Sequence, residues 1–217
     1  MDRATSIIQS NFSGRAVRVN SGRDIDELRT EIVRKTIHFL IALTPSLAAI
    51  NKMATAALLI TGILGYTLME YLRLSGVKIP IISSITSMAS RQRDIGNFVM
   101  GPITLGLGAL LALLLYPSNA AAIAIYALAF GDGLASLVGK FFGKWRPAFL
   151  SGKSVEGSLA CFAAVLISAY AVSGNLHIAC VAAFTAMVVE ALPLEDYDNI
   201  AIPVTVGLAV QFAAIAL

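Results

Sequence analysis

The residues best equipped for chemistry fall in two linked stretches, Gly131-Asp132-Gly133 running on to Gly139, Gly143 and Lys144, and Gly152-Lys153-Ser154-Val155-Glu156-Gly157. Read as a helix, Gly131, Ala135, Gly139 and Gly143 recur every four residues and form a stripe of small side chains. Such a stripe lets a second helix approach closely, within the chain or in a homodimer. Asp132, Ser136, Lys140 and Lys144 repeat on the adjacent face. An ionisable side chain in an apolar helix costs about 2.5–3.5 kcal/mol on insertion scales. Asp132 is therefore a functional candidate, and the plainer alternative is a structural ion pair with Lys or Arg. Gly152-Lys153-Ser154 suggests a phosphate-binding loop, but the position that would need the leading glycine is Pro147, which excludes the P-loop pattern. The physics survives that exclusion. Ser154 can cap the following helix, and the free N–H groups of that helix end attract phosphate. Lys153 adds a point charge. Glu156 either holds a magnesium ion or merely favours a helix N-terminus.

These groups need elements to position them, and composition says what kind. The chain has 217 residues, 57% hydrophobic and 13% charged, against about 25% charged in a soluble domain. Apolar runs of about 20 residues can cross a bilayer. The sequence predicts spans near 32–50, 54–71, 98–116, 120–142, 155–172, 176–192 and 200–217. The expected fold class is an all-α polytopic membrane helix bundle of about seven transmembrane helices. A polar arm (1–30) precedes a single transmembrane domain (31–217). The last turns of the arm are expected to form an amphipathic helix on the membrane surface. A second interfacial helix is expected over 75–94, where Ile81, Ile85 and Met88 share one face and Arg91 and Arg93 lie elsewhere. The arm has no apolar core and does not read as a signal peptide. Cys161 and Cys180 fall inside spans and lack metal-ligand spacing.

Seven spans with a cytoplasmic N-terminus put every one of the 16 Lys and Arg residues except Lys52, and all 13 acids, on one side. The positive-inside rule makes that side cytoplasmic. The basic pI of about 9.0 then reflects topology rather than nucleic-acid binding. Transporters place polar groups near the midplane with access to both faces, so one-sided chemistry disfavours that class. It favours an enzyme that joins a charged cytosolic co-substrate to a membrane-dissolved one.

Other residues fall on the same side. Glu31, Arg34, Lys35 and His38 sit three to four residues apart on one helix face. Arg34 and Lys35 read as nucleotide ligands or as positive-inside anchors. His38, a turn deeper, reads as a general base or as a hydrogen-bonding packing residue. Glu70 and Arg73 make an i,i+3 pair. Glu190 ends a span and Glu195-Asp196-Tyr197-Asp198-Asn199 follows. An acidic loop facing a lysine-rich loop suits magnesium between carboxylates and phosphates.

Taken in order, Arg34-Lys35-x-x-His38, Glu70-x-x-Arg73, Gly131-Asp132 with its glycine ladder, Gly152-Lys153-Ser154-x-Glu156-Gly157, and Glu190 followed by Asp198-Asn199-x-x-Ile202-Pro203 resemble the CTP-dependent lipid-alcohol kinases. That group comprises dolichol kinase, phytol kinase and the yeast-type diacylglycerol kinase. The CDP-diacylglycerol synthases are more distantly similar, but their acidic and glycine/histidine-rich terminal signature is absent here. The resemblance implies transfer of the γ-phosphate of CTP to the hydroxyl of a membrane lipid. The alternative is a cytidylyltransferase, and less favoured still is a transporter. It implies catalytic roles for Asp132, Lys153, His38 and Glu70. The nucleotide set would be Arg34, Lys35, Gly131, Lys140, Gly152, Lys153, Ser154 and Asn199. Magnesium would be held by Asp132, Glu156, Glu190 and Asp198.

Overall fold

The computed structural model describes residues 21–77 and 96–216, and every described regular element is helical. The expected interfacial helix over 75–94 and the arm up to residue 20 fall almost wholly outside the described residues; Ser75–Val77 form a turn. The helices, in chain order, are α1 (Ser21–Leu40), α2 (Thr44–Leu74), α3 (Gly101–Leu115), α4 (Ser118–Tyr126), α5 (Gly133–Phe141), α6 (Val155–Ser173), α7 (Leu176–Glu190) and α8 (Asp198–Ile215). A short 3-10 turn (Ile41–Leu43) joins α1 to α2, and a wide π turn (Ala127–Asp132) joins α4 to α5.

Among the described residues, four stretches are long and apolar enough to cross a membrane: Thr30–Leu74, Ser118–Phe141, Val155–Ser173 and Glu195–Ile215. Two further apolar helices, α3 and α7, have 15 residues each. α1 runs continuously across residues 30 and 31, where the arm is expected to meet the transmembrane domain. The expected division between the first two spans does appear. Asn51 leaves helical geometry (φ −155°, ψ 103°), and its Oδ1 accepts from the Ala54 N–H at 3.0 Å. Asn51 thus caps the second half of α2 as a fresh N-terminus.

The core is built from small residues. Ala179, Ala182, Ala183 and Ala186 of α7 are fully buried, an i, i+3, i+4, i+7 face. Val165 and Ala169 of α6, Ile202 and Val206 of α8, Ile125 of α4 and Ala127 of the π turn fill the same core. Outward positions carry large apolar side chains, among them Leu64, Ile167, Phe184 and Phe212, as lipid contact requires. Within a bilayer, helices gain no hydrophobic drive from each other and rely on close packing. Two contacts show how close. A Cβ on Gly157 of α6 would lie 2.7 Å from the Ala135 carbonyl oxygen and 3.2 Å from the Gly139 Cα of α5. Pro203 of α8 has no N–H to offer the Asn199 carbonyl one turn back, and that carbonyl abuts Gly108 of α3, where a side chain would collide with it.

Gly157→Ala should therefore overpack the α5–α6 contact and cost about 1–3 kcal/mol. Gly62→Ala, at a helical position with open space around it, should cost nothing. Unfolding of the two variants in detergent measures the difference, and equal stability would show that the α5–α6 approach is not limiting.

Candidate functional site

The π turn decides where Asp132 points. The wider ring at Ala127–Asp132 offsets the α4–α5 register and brings Asp132 and the Leu128 carbonyl toward α1. π bulges are frequent where a helix must present such groups. Lys35 Nζ of α1 lies 2.5 Å from Asp132 Oδ2, and both side chains are almost fully enclosed, 2% and 5% exposed. His38, one turn along, places Nε2 2.8 Å from the Leu128 carbonyl oxygen and 3.2 Å from the same Asp132 oxygen. A carbonyl can only accept, so Nε2 carries the hydrogen and the lone pair of the neutral ring sits on Nδ1. Arg34 pairs with Glu31 at 2.8 Å and reaches Asp196 at 3.9 Å. Its buried Nε has no hydrogen-bond partner.

A second pair lies across the opening. Lys153 Nζ donates to the Glu190 backbone carbonyl and stands 3.1 Å from Glu190 Oε1. Ser158 Oγ is 3.4 Å from Glu190 Oε2. Ser154 caps α6 as its sequence position suggested, with Oγ accepting from the Gly157 N–H at 3.1 Å. Ser151 and Gly152, both at positive φ (49° and 90°), turn the chain into that cap.

The two pairs belong to one electrostatic neighbourhood. Asp198, at the start of α8, interacts with Asp132, Lys35, Lys153 and Arg34. Cys161, fully buried on α6, interacts with Asp132, Glu190 and Lys153. Charged groups from α1, the π turn, the loop before α6, the end of α7 and the start of α8 thus share one region.

The chain has known relatives. Over 186 residues it is 29% identical to an uncharacterised protein of Methanocaldococcus jannaschii, a match covering 83% of this chain and 93% of that one. Over 146 residues it is 27% identical to a Triticum aestivum protein described as a probable chloroplastic phytol kinase. That match covers 59% of this chain and 47% of the wheat protein. No family model and no solved structure matches.

The remaining candidates take other positions. Glu70, fully buried, accepts from Arg73 at 2.8 and 2.7 Å and from the Val99 N–H at 2.9 Å. Its carboxylate holds the chain leading into α3. Asn199 is buried, and its Nδ2 donates to Thr104 Oγ1 of α3 at 3.0 Å. Gly131 is buried against α6, where a Cβ would meet Val165 and Cys161, so it occupies a packing position. Lys140 is exposed at the end of α5. Glu156 accepts from the Lys144 and Trp145 N–H groups at 3.0 and 3.2 Å. In this position it fastens the loop that follows α5. Among the described residues, no three His, Cys, Asp or Glu side chains gather as a ready-made metal site. Asp132 and Glu190 each face a lysine instead.

Sequence reasoning missed Thr104 and Arg146. Arg146 donates to the Gly139 and Gly152 carbonyls at 2.6 and 2.5 Å. The signal for Thr104 was a hydroxyl inside an otherwise apolar run. Nothing local marked Arg146.

Replacing only one member of a buried pair strands a charge and costs about 3–5 kcal/mol. Lys35→Met should show that loss in detergent unfolding. Lys35→Met combined with Asp132→Asn should recover most of it. Equal losses in the single and double variants would mean that Asp132 has another counter-charge.

Proposed function

We propose that this chain is an integral-membrane lipid kinase that transfers the γ-phosphate of a nucleoside triphosphate, CTP by the motif resemblance, to the hydroxyl of a membrane lipid alcohol. A polyprenol, a phytol-like isoprenoid alcohol and diacylglycerol all fit that chemistry. The observation that carries the reading is the meeting of Lys35–Asp132, Lys153–Glu190 and Asp198 in one region of an otherwise apolar bundle. The partial similarity to a phytol kinase supports it. In this reading Thr30–Leu74 crosses twice, on either side of Asn51, and α3 and α7 span a thinned bilayer. That makes seven spans, with the charged end cytoplasmic under the positive-inside rule.

Phosphoryl transfer depends on charge neutralisation and in-line positioning more than on covalent chemistry. Arg34, Lys35 and Lys153 are the cations at hand, and the capped N-terminus of α6 adds its free N–H groups. Binding of the triphosphate draws the partly exposed Lys153 from Glu190, while Lys35 stays with Asp132 and acts on the phosphates from there. The lipid oxygen bonds to the γ-phosphorus as the bond to the β–γ bridging oxygen breaks, and the nucleoside diphosphate departs. The hydroxyl proton goes to a site carboxylate. Magnesium is a hard cation that keeps several waters and needs only one or two protein carboxylates besides phosphate. Asp198 with Asp132 or Glu190 suits that donor set. Bound there, it would supply neutralisation of the phosphate oxygens.

Membranes containing the protein, given CTP labelled at the γ- or the α-phosphate, test the reading. Label from the γ position should enter the lipid fraction. Label from the α position would indicate cytidylyl transfer, and label from neither would overturn an enzymatic role. Asp198→Asn and Lys153→Met should each lower turnover by about 100-fold or more while remaining folded and membrane-inserted. Wild-type turnover in both would remove these residues from the mechanism.

A further inference from the structure

The loop that follows α5 carries features the catalytic reading does not use. Phe142 and Trp145 are 68% and 65% exposed and Phe141 is 49% exposed. The Phe141 and Phe142 rings lie 6.4 Å apart. Lys144, between them and the tryptophan, is also exposed. The group stands where the Ser118–Phe141 candidate span ends. An exposed aromatic cluster in a water-facing loop would be a liability. At a membrane–water boundary it is an asset, because a tryptophan ring has an apolar body and one polar N–H.

The backbone of this loop is prepared for such a place. Where water is scarce, each unmatched N–H or carbonyl is costly. Here the Lys144 and Trp145 N–H groups are taken by the Glu156 carboxylate. The Gly139 and Gly152 carbonyls are taken by the Arg146 guanidinium. The loop is thus braced from both sides, with its aromatics and one lysine exposed. The positive charge beside the rings fits anionic lipid headgroups.

We propose that Phe141–Trp145 is a preformed interfacial anchor for an anionic leaflet, with Lys144 as its headgroup contact and Glu156 and Arg146 as its braces. It stands apart from the phosphoryl-transfer reading, since it uses none of the charges assigned to the nucleotide. Its consequence for the site is positional: the same loop runs on to Lys153 and Ser154, so its depth sets theirs.

Trp145 is the single tryptophan of the chain, and its fluorescence reports this loop alone. The full-length protein is reconstituted into vesicles of phosphatidylcholine, or of phosphatidylcholine with phosphatidylglycerol, carrying bromines either near the headgroup or near the chain end. The expected result is blue-shifted emission, quenched more by the shallow bromines than by the deep ones, and more strongly in the anionic vesicles. Lys144→Gln should shift the docked-to-undocked ratio in anionic vesicles by roughly fivefold. Glu156→Ala should spread the depth of Trp145. Water-like emission without quenching would overturn the anchor. So would blue-shifted emission that bromines do not quench, which would place Trp145 against protein, such as a second copy. Quenching indifferent to lipid charge and to Lys144→Gln would overturn the anionic preference.

Discussion

The buried contact between Lys35 and Asp132 governs the arrangement around it. Two opposite charges withdrawn from water attract strongly, but each loses its hydration, and the balance is kept only while both are present and close. That requirement ties α1 to the π turn over a separation of 97 residues. His38 adds to the same tie through the Leu128 carbonyl, a group the irregular turn makes available. The helices can slide or rotate little without separating the pair. An electrostatic demand at one point therefore acts as a register pin for the bundle.

Around that pin, packing is achieved by leaving atoms out. The alanine face of α7, Gly157 against Gly139, and Gly108 against the Asn199 carbonyl each let backbones come together where side chains would hold them apart. Close backbones maximise dispersion contacts, which must replace the hydrophobic drive that lipid does not provide. They also leave little tolerance for added volume. Polar links, such as Asn199 to Thr104 and Tyr116 to the Val204 carbonyl, fix the remaining freedom between α3 and α8.

Features governed by a few neighbouring residues were legible in the sequence. The Ser154 cap needs only a hydroxyl ahead of an apolar helix. The break at Asn51 needs only Asn-Lys between two apolar runs. Similarly, Asp132 declared itself as an acid in an apolar segment, with a lysine partner among the alternatives. What remained hidden depends on distant groups. Nothing near Glu156 shows that its carboxylate will meet the amides of Lys144 and Trp145 rather than a metal. Glu70 looks the same in sequence whether it serves chemistry or holds Val99. The π turn has no local signature at all, since it answers to the packing of His38 and Lys35.

The two short helices have a consequence for the membrane itself. At 15 residues, α3 and α7 measure about 22 Å along their axes, well below the roughly 30 Å of a typical hydrocarbon layer. α7 delivers Glu190 at its end, and the start of α3 is bonded to Asn199 beside Asp198. In the proposed seven-span reading, hydrophobic mismatch of this size is relieved by local thinning of the bilayer or by water entering beside the short elements. In that reading the charged region lies where the apolar barrier is shallowest, and the geometry moves the boundary to a membrane-dissolved substrate rather than the substrate to the boundary.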